Sequence, residues 1–311
     1  MSDDVLSVRR IWHLSRGSKN EFVSSWTRAT HSAVYHLQKE FYMKTGLVSI
    51  SFRKKSIKEL IKASKDAGLE YIEWGGDVHV PMGKVALARS TRRLMHGSGL
   101  KSASYGSYFG LIYHCDEHFP MPFKRILKTA KALSAKTVRV WLGWPYCGCK
   151  KGCDVFLCDK YFKKNVSITK ALCKQAKAYG LTLSIECHFK TLSDDYHDTL
   201  RFLEAVSEDN LRLYWQPNHA RGFEYNLEAL KALRPYISNV HVFNWNEKGE
   251  KASLGTERGL YEWGEYLKVL NDENASERIC FLEFMPDGEI TSLPTEARIL
   301  NDLIANLSKV R

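Results

Sequence analysis

The chain reads as an α/β protein built on a closed (β/α)8 barrel with an N-terminal extension. Three observations predict this. From residue 46 onward, short β-branched runs alternate with amphipathic helical segments, and the alternation repeats eight times, the count a closed barrel needs. An open doubly wound sheet would place a Gly-x-Gly-x-x-Gly turn after its first strand, and none follows here; Gly75-Gly76-Asp77 is only a turn signal. Charged and amide side chains also fall at the C-terminal ends of several strands with the parity that turns them toward the barrel axis, where such barrels carry their functional groups.

Taken in order, the first strand is expected over Gly46–Phe52 and its helix over Ser56–Ala67, with Ser56 as N-cap and Gly68 as the stop. The second strand, Leu69–Trp74, leads to a helix over Lys84–His96. The third, Lys101–Gly106, leads to Phe123–Ser134. The fourth, Thr137–Leu142, is followed by a long loop and a helix over Ser167–Tyr179. Leu181–Cys187 and Tyr196–Val206 form the fifth unit, and Leu211–Gln216 and Leu227–Leu233 the sixth. Asn239–Trp245 and Leu260–Leu270 form the seventh, and Arg278–Phe284 and Pro294–Leu307 the eighth.

Residues 1–45 stand outside this period and are read as an extension, partly helical or loosely ordered, ahead of a barrel over residues 46–311. Trp12, Phe22, Trp26 and Tyr35 argue against compositional disorder, and Ser25–Tyr42 reads as one helix. Met43-Lys44-Thr45 sits where a barrel would naturally start, which makes residues 1–42 an appendage. The opening Met1-Ser2-Asp3-Asp4 lacks a basic region leading into an apolar one, and no stretch nears the ~18 apolar residues of a membrane span. A cytoplasmic protein is expected, with no membrane partner. At 44% hydrophobic residues the chain is neither fibrous nor disordered. The net charge of +11 permits an anionic partner. Because the Lys and Arg are scattered over predicted helices and form no stripe, they read as a solvated surface.

Alternation assigns faces. In the fifth strand Leu181, Leu183 and Ile185 form the apolar set that packs on helices, leaving Thr182, Ser184, Glu186 and His188 to point inward. The same parity brings Glu283 to the mouth from the eighth strand and His241, Phe243 and Trp245 from the seventh. Arg212, Tyr214 and Gln216 share a face of the sixth, and His219 follows three residues later. Arg139 and Trp141 come from the fourth. Tyr71 and Glu73 come from the second, with Asp77 and His79 in the loop beyond. Trp74, of opposite parity to Glu73, reads as core. Buried carboxylates cost several kcal/mol unless paired or bound to metal, so this convergence reads as a functional mouth rather than packing.

These residues carry a resemblance. Gly68-Leu69-Glu70-Tyr71-Ile72-Glu73-Trp74, Leu183-Ser184-Ile185-Glu186-Cys187-His188, Asn239-Val240-His241-Val242 and Phe281-Leu282-Glu283-Phe284 resemble the xylose-isomerase-like TIM barrel superfamily of sugar isomerases and epimerases. Glu73-Trp74-Gly75-Gly76-Asp77-Val78-His79-Val80-Pro81, Ala103-Ser104-Tyr105-Gly106-Ser107-Tyr108 and Trp215-Gln216-Pro217 are similar to sugar phosphate isomerase/epimerase-like members. The resemblance implies a divalent metal (Mn2+, Mg2+, Co2+ or Zn2+) on Glu186, Gln216, His241 and Glu283. Gln216 stands where the family usually has Asp; its carbonyl ligates a hard cation but brings no charge. The implied reaction is metal-assisted proton transfer alpha to a carbonyl of a sugar or sugar phosphate, with Glu186 and Glu283 as the acid/base pair. Glu73, His79, Arg139, Trp141, His188, His219 and Trp245 form the expected substrate-binding set, His219 matching a family His that contacts substrate.

Two rival readings follow from the same residues. A barrel that lost its metal with the Asp would be a non-catalytic sugar-binding protein. An abasic-site endonuclease of the same superfamily would use the positive charge, but it needs about three metals, and Gln216-Pro217-Asn218 leaves the ligand set too small, so a nucleic-acid partner is not expected. A homo-oligomer is compatible with all of these. The loop after the fourth strand carries Cys147, Cys149, Cys153 and Cys158, read as free thiols, a structural zinc lid or a regulatory disulfide, and Lys150 and Lys151 beside them could receive a phosphate. Cys115, Cys173, Cys187 and Cys280 are expected as thiols.

Overall fold

The computed structural model describes residues 43–111, 123–143, 159–189, 191–271 and 277–307, the side chains of 159–161 excepted. The N-terminal extension and the Cys147–Cys158 loop lie outside the described residues, as does Cys115. The barrel strands are β1 (Met43–Val48), β2 (Tyr71–Gly75), β3 (Lys101–Gly110), β4 (Thr137–Trp141), β5 (Thr182–Glu186), β6 (Leu211–Trp215), β7 (Ile237–Val242) and β8 (Arg278–Leu282). The helices that follow them are α1 (Ile57–Asp66), α2 (Val85–Ser98), α3 (Phe123–Leu133), α4 (Asp159–Ala178), α5 (Tyr196–Val206), α6 (Phe223–Leu233), α7 (Glu257–Leu270) and α8 (Leu293–Asn306). All eight strands pair in parallel and close in the order β1-β8-β7-β6-β5-β4-β3-β2.

The local signals act as expected where the chemistry is strong. Ser56 and Glu59 form a reciprocal capping box on α1, Asp195 caps α5 through the amides of His197 and Asp198, and Thr256 caps α7. The main departures occur where tertiary pairing decides the boundary. β1 starts at Met43 rather than residue 46, because Met43, Lys44 and Thr45 pair with Arg278, Ile279 and Cys280 to close the barrel. It stops at Val48, since Ser49–Phe52 wind into a 3-10 helix. β7 also ends early, at Val242; Asn244 and Trp245 form a short antiparallel ladder with Lys251 and Ala252 above the mouth. Trp245 therefore sits on a loop hairpin rather than on a barrel strand.

Two apolar layers form from the alternation. Leu47, Ile72, Trp74, Val138, Val140, Leu183, Ile185, Leu213, Val240, Val242 and Leu282 face the helices in one continuous core. Trp74 belongs to it, fully buried, its indole donating to Ser102 Oγ at 3.1 Å. A second, smaller cluster of Val48, Tyr71, Ala103, Tyr214, Ile279 and Phe281 fills the barrel interior as a plug. Gly46 makes room for it: a Cβ there would lie 2.7 Å from the Phe281 ring and 2.8 Å from the Tyr71 carbonyl. Above the plug the interior becomes polar.

His79, on the loop after β2, ties this loop to the one after β1. The Gly75 amide donates to Ser49 Oγ at 2.9 Å, and Ser49 Oγ lies 3.1 Å from His79 Nδ1; Nε2 lies 3.1 Å from the Lys55 carbonyl. This pattern assigns the neutral tautomer with the proton on Nε2. Burial holds the imidazole below its ordinary pKa. The unfolded chain therefore takes up a proton before the native state does, so stability from His79 is complete above about pH 6.5 and is lost as pH falls. Urea denaturation from pH 5 to 8 should show His79→Gln to be less stable than the native chain at pH 8, with a flatter dependence below pH 7.

Candidate active site

Five buried polar residues converge above the plug: Glu73 on β2, Arg139 on β4, Glu186 at the end of β5, His241 on β7 and Glu283 just past β8. Gln216, half-buried just past β6, joins them. Glu283 is held in register although it lies beyond the strand, because its amide donates to the Val242 carbonyl at 3.0 Å.

Arg139 is the connecting group. Its Nε donates to Glu73 Oε1 at 2.7 Å and its second guanidinium nitrogen donates to Glu186 Oε2. Ser104 Oγ donates to the other Glu73 oxygen at 2.7 Å. The guanidinium also lies 5.1 Å from the centre of the Tyr108 ring, within cation–π range. Tyr108 has a left-handed backbone, φ 54°, next to the register shift of β3 against β4 between Gly106 and Phe109. Gly106 is the residue that lets the arginine lie flat: a Cβ there would fall 2.6 Å from the guanidinium and 3.1 Å from Glu73 Oε1. The role of Gly106 was missed from sequence, although a glycine inside a strand signals close approach of another group. Ser104 and Tyr108 were legible only as part of the motif quoted above, and Tyr214 only as an inward-facing residue of its strand.

The electrostatics follow from this geometry. Burial alone would raise the pKa of Glu73 and Glu186, but Arg139, with His241, overrides it. Glu73 lies well below the carboxylate range and Glu186 falls to about 2. Burial would lower His241, yet Glu283, Glu186 and Glu73 together raise it to about 10. Glu283 has no arginine of its own; burial, opposed by His241 and reinforced by Glu186, pushes it up to about 7.

The donor set fits a divalent metal. His241 Nδ1 lies 3.1 Å from Gln216 Oε1 and 3.4 Å from both Glu186 Oε1 and Glu283 Oε2. The Glu186, His241 and Glu283 donors all fall within 4.8 Å of one another. Bonds of roughly 2.1 Å would separate ligand atoms by about 3.0–3.4 Å in octahedral or tetrahedral coordination. The opposite ring nitrogen, Nε2, is buried without a hydrogen bond, 3.6 Å from Glu73 Oε1. A carboxylate beside the free nitrogen is the arrangement that orients a metal-ligating imidazole.

The remaining expected residues divide into separate groups. Trp141 pairs in register with Glu186 and stacks on His188, ring centres 4.4 Å apart. His219 and Trp245 pack together at 5.8 Å and line a cavity of about 360 Å3 with Arg221 and Lys248. His79 is not brought to the cluster, since both of its ring nitrogens serve the loop contacts described above. Cys173, Cys187 and Cys280 are free thiols, each pushed to about 12 chiefly by burial. No helix among the described residues is long and apolar enough to cross a membrane.

Fold and site together define a (β/α)8 barrel with a carboxylate–histidine–carboxylate centre at its mouth. The chain belongs to the xylose isomerase-like TIM barrel family, whose match spans residues 61–303. No curated protein sequence matches it. Among solved structures it is similar to the probable 3-DHS dehydratase AsbF of Bacillus anthracis, involved in petrobactin synthesis (TM-score 0.65, 19% identity, 83% of this chain and 99% of that one). It is similar to the IOLI protein with a bound zinc atom (0.64, 16%, 85% and 99%). A third is D-psicose 3-epimerase of Clostridium cellulolyticum H10 with D-tagatose (0.60, 16%, 85% and 99%). At these identities the likeness is one of fold.

Two outcomes follow from the geometry. Arg139→Met would leave Glu73 and Glu186 buried without their counter-charge and should cost about 3–5 kcal/mol in urea denaturation. Arg139→Lys should not restore it, because one ammonium cannot reproduce the planar fork that reaches both carboxylates. In calorimetric titration of chelator-treated protein with Mn2+, Gln216→Asp should bind about tenfold tighter or better through its added charge, and His241→Ala should lose binding.

Proposed function

We propose that this protein is a sugar isomerase or epimerase that moves a proton at a carbon alpha to a carbonyl. The observation that carries the reading is the meeting of two buried carboxylates, Glu186 and Glu283, on one imidazole nitrogen at the barrel mouth. Both were expected as the acid/base pair, and their surroundings divide the work. Glu186 has one oxygen on Arg139 and the other facing His241, and a pKa near 2 makes it a poor proton acceptor. Glu283 carries no arginine hydrogen bond, so of the two it is the one left to take a proton from carbon and return it. Glu186, Gln216, His241 and Glu283 would hold a divalent cation, which when bound supplies charge neutralisation for substrate oxygens that become anionic. Arg139 keeps Glu73 and Glu186 ionised, and Trp141 offers an aromatic wall beside them. A sugar and an epimerase-like reaction agree with the D-tagatose-bound neighbour, and a bound metal agrees with the zinc-bound one.

The test is incubation in D2O with Mn2+, Mg2+ or Co2+ and a panel of ketoses, aldoses, their phosphates and inosose-like polyols. Deuterium should enter one carbon of at least one panel member, and Glu283→Gln should slow that exchange by about 10²–10⁴-fold with the fold retained. Gln216 favours a second reading, a sugar-binding barrel without catalysis. Tight binding of a panel member with no exchange in any metal would establish that reading and overturn the enzymatic one.

A further inference from the structure

On the outer, helical face of the barrel the fold assembles a surface that the linear sequence hides. α2 presents Arg89, Arg92, Arg93 and His96 toward α3, whose Lys128 and Lys131 face them across a groove of about 940 Å3. Val85, Ala132 and Tyr179 complete the lining, and no carboxylate takes part. All six basic side chains are exposed. Lys131 donates to the Tyr179 carbonyl at 2.9 Å; Arg89, Arg92, Arg93 and Lys128 form no ion pair among the described residues. Cations on other helices do pair, as in Lys62–Asp66, Arg258–Glu262, Lys268–Glu265 and Arg298–Asp302. Among the described side chains from Val85 to Ala178, none is Asp or Glu. Arg92 and His96 also line a second cavity of about 510 Å3 at the barrel floor, with Lys101 and Lys136; its one carboxylate, Glu277, accepts from Tyr71 Oη at 2.9 Å. Here the expectation of scattered surface charge gives way: residues far apart in sequence become one continuous basic track.

We propose that the groove between α2 and α3 binds the phosphate backbone of double-stranded nucleic acid without reading its sequence. The cations are extended rather than convergent. Arg89 to His96 spans about 10 Å of helix, the length of about three phosphate steps along one strand. Small-molecule sites fix their ligand with a few precisely held polar groups, whereas this groove is lined by six exposed cationic or imidazole side chains. Single strands are held on aromatic platforms, and Tyr179 is the one aromatic residue here. The surface is separate from the mouth, so this inference does not depend on the proton-transfer reading.

The probe is a fluorescein-labelled mixed-sequence DNA duplex of about 20 base pairs, titrated with the full chain at about 50–200 mM KCl and read by anisotropy. Binding is expected at or below a dissociation constant of about 10⁻⁶–10⁻⁴ M, weakening steeply with salt. The triple variant Arg89→Gln/Arg92→Gln/Lys128→Gln should bind at least about tenfold more weakly, with a log–log salt slope shallower by about 3. Lys62→Gln/Lys268→Gln/Arg298→Gln removes the same charge elsewhere and should bind like the native chain. Circular dichroism checks that both variants stay folded. Three results would each overturn the proposal: no duplex binding at the lowest salt, equal weakening in both triple variants, or a single strand of the same length bound as tightly. Retention on phosphatidylserine vesicles without duplex binding would also overturn it, assigning the groove to a lipid surface.

Discussion

The mouth depends on a single guanidinium. Arg139 is placed between Glu73 and Glu186, and the charge of each carboxylate deep in the barrel is sustained by that contact. Buried ions of like sign cannot all remain charged without a counter-ion, and desolvation raises the pKa of whichever is left unpaired. The arginine therefore decides more than its own two partners. By holding Glu73 and Glu186 ionised it keeps a negative charge beside Glu283, which burial, reinforced by Glu186, pushes up to about 7. The departures of β3 from regular geometry, Gly106 and the left-handed Tyr108, lie against this same guanidinium. Strain of this kind is retained where the surroundings over-determine it.

The apolar plug below performs a complementary task. Phe281, Tyr214 and their neighbours fill the barrel beneath the polar layer, and Tyr214 lies 5.0 Å from the His241 ring. The imidazole is thus held from below by packing and from the sides by carboxylates. This is how fully buried His241 keeps one nitrogen toward Glu186, Glu283 and Gln216 and the other toward Glu73.

Shared fold does not carry shared chemistry, because function resides in the side chains mounted on a barrel. The similar structures include a probable dehydratase and an epimerase. Gln216 brings a neutral donor to the centre, and Arg139 ties two of its carboxylates. The basic groove between α2 and α3 lies on the helical surface, where changes in charge leave the barrel core untouched.

The alternation of side chains was enough to read the barrel and the inward residues Glu73, Arg139, Glu186, His241 and Glu283 from sequence. Strand parity is a local property: a residue two positions from a buried interior residue faces the same way. Caps such as Ser56 and Asp195 are local for the same reason. The start of β1 was not legible, because Met43–Thr45 become strand only by pairing with Arg278–Cys280, more than 230 residues away along the chain. The pairing of Arg139 with both Glu73 and Glu186, the need for glycine at 106, the diversion of His79 into loop contacts and the gathering of Arg89, Arg92, Lys128 and Lys131 into one groove were equally hidden. Each joins residues from different strands or helices. Their separations, and with them the local dielectric, pKa values and charge density, exist only once the chain has closed on itself.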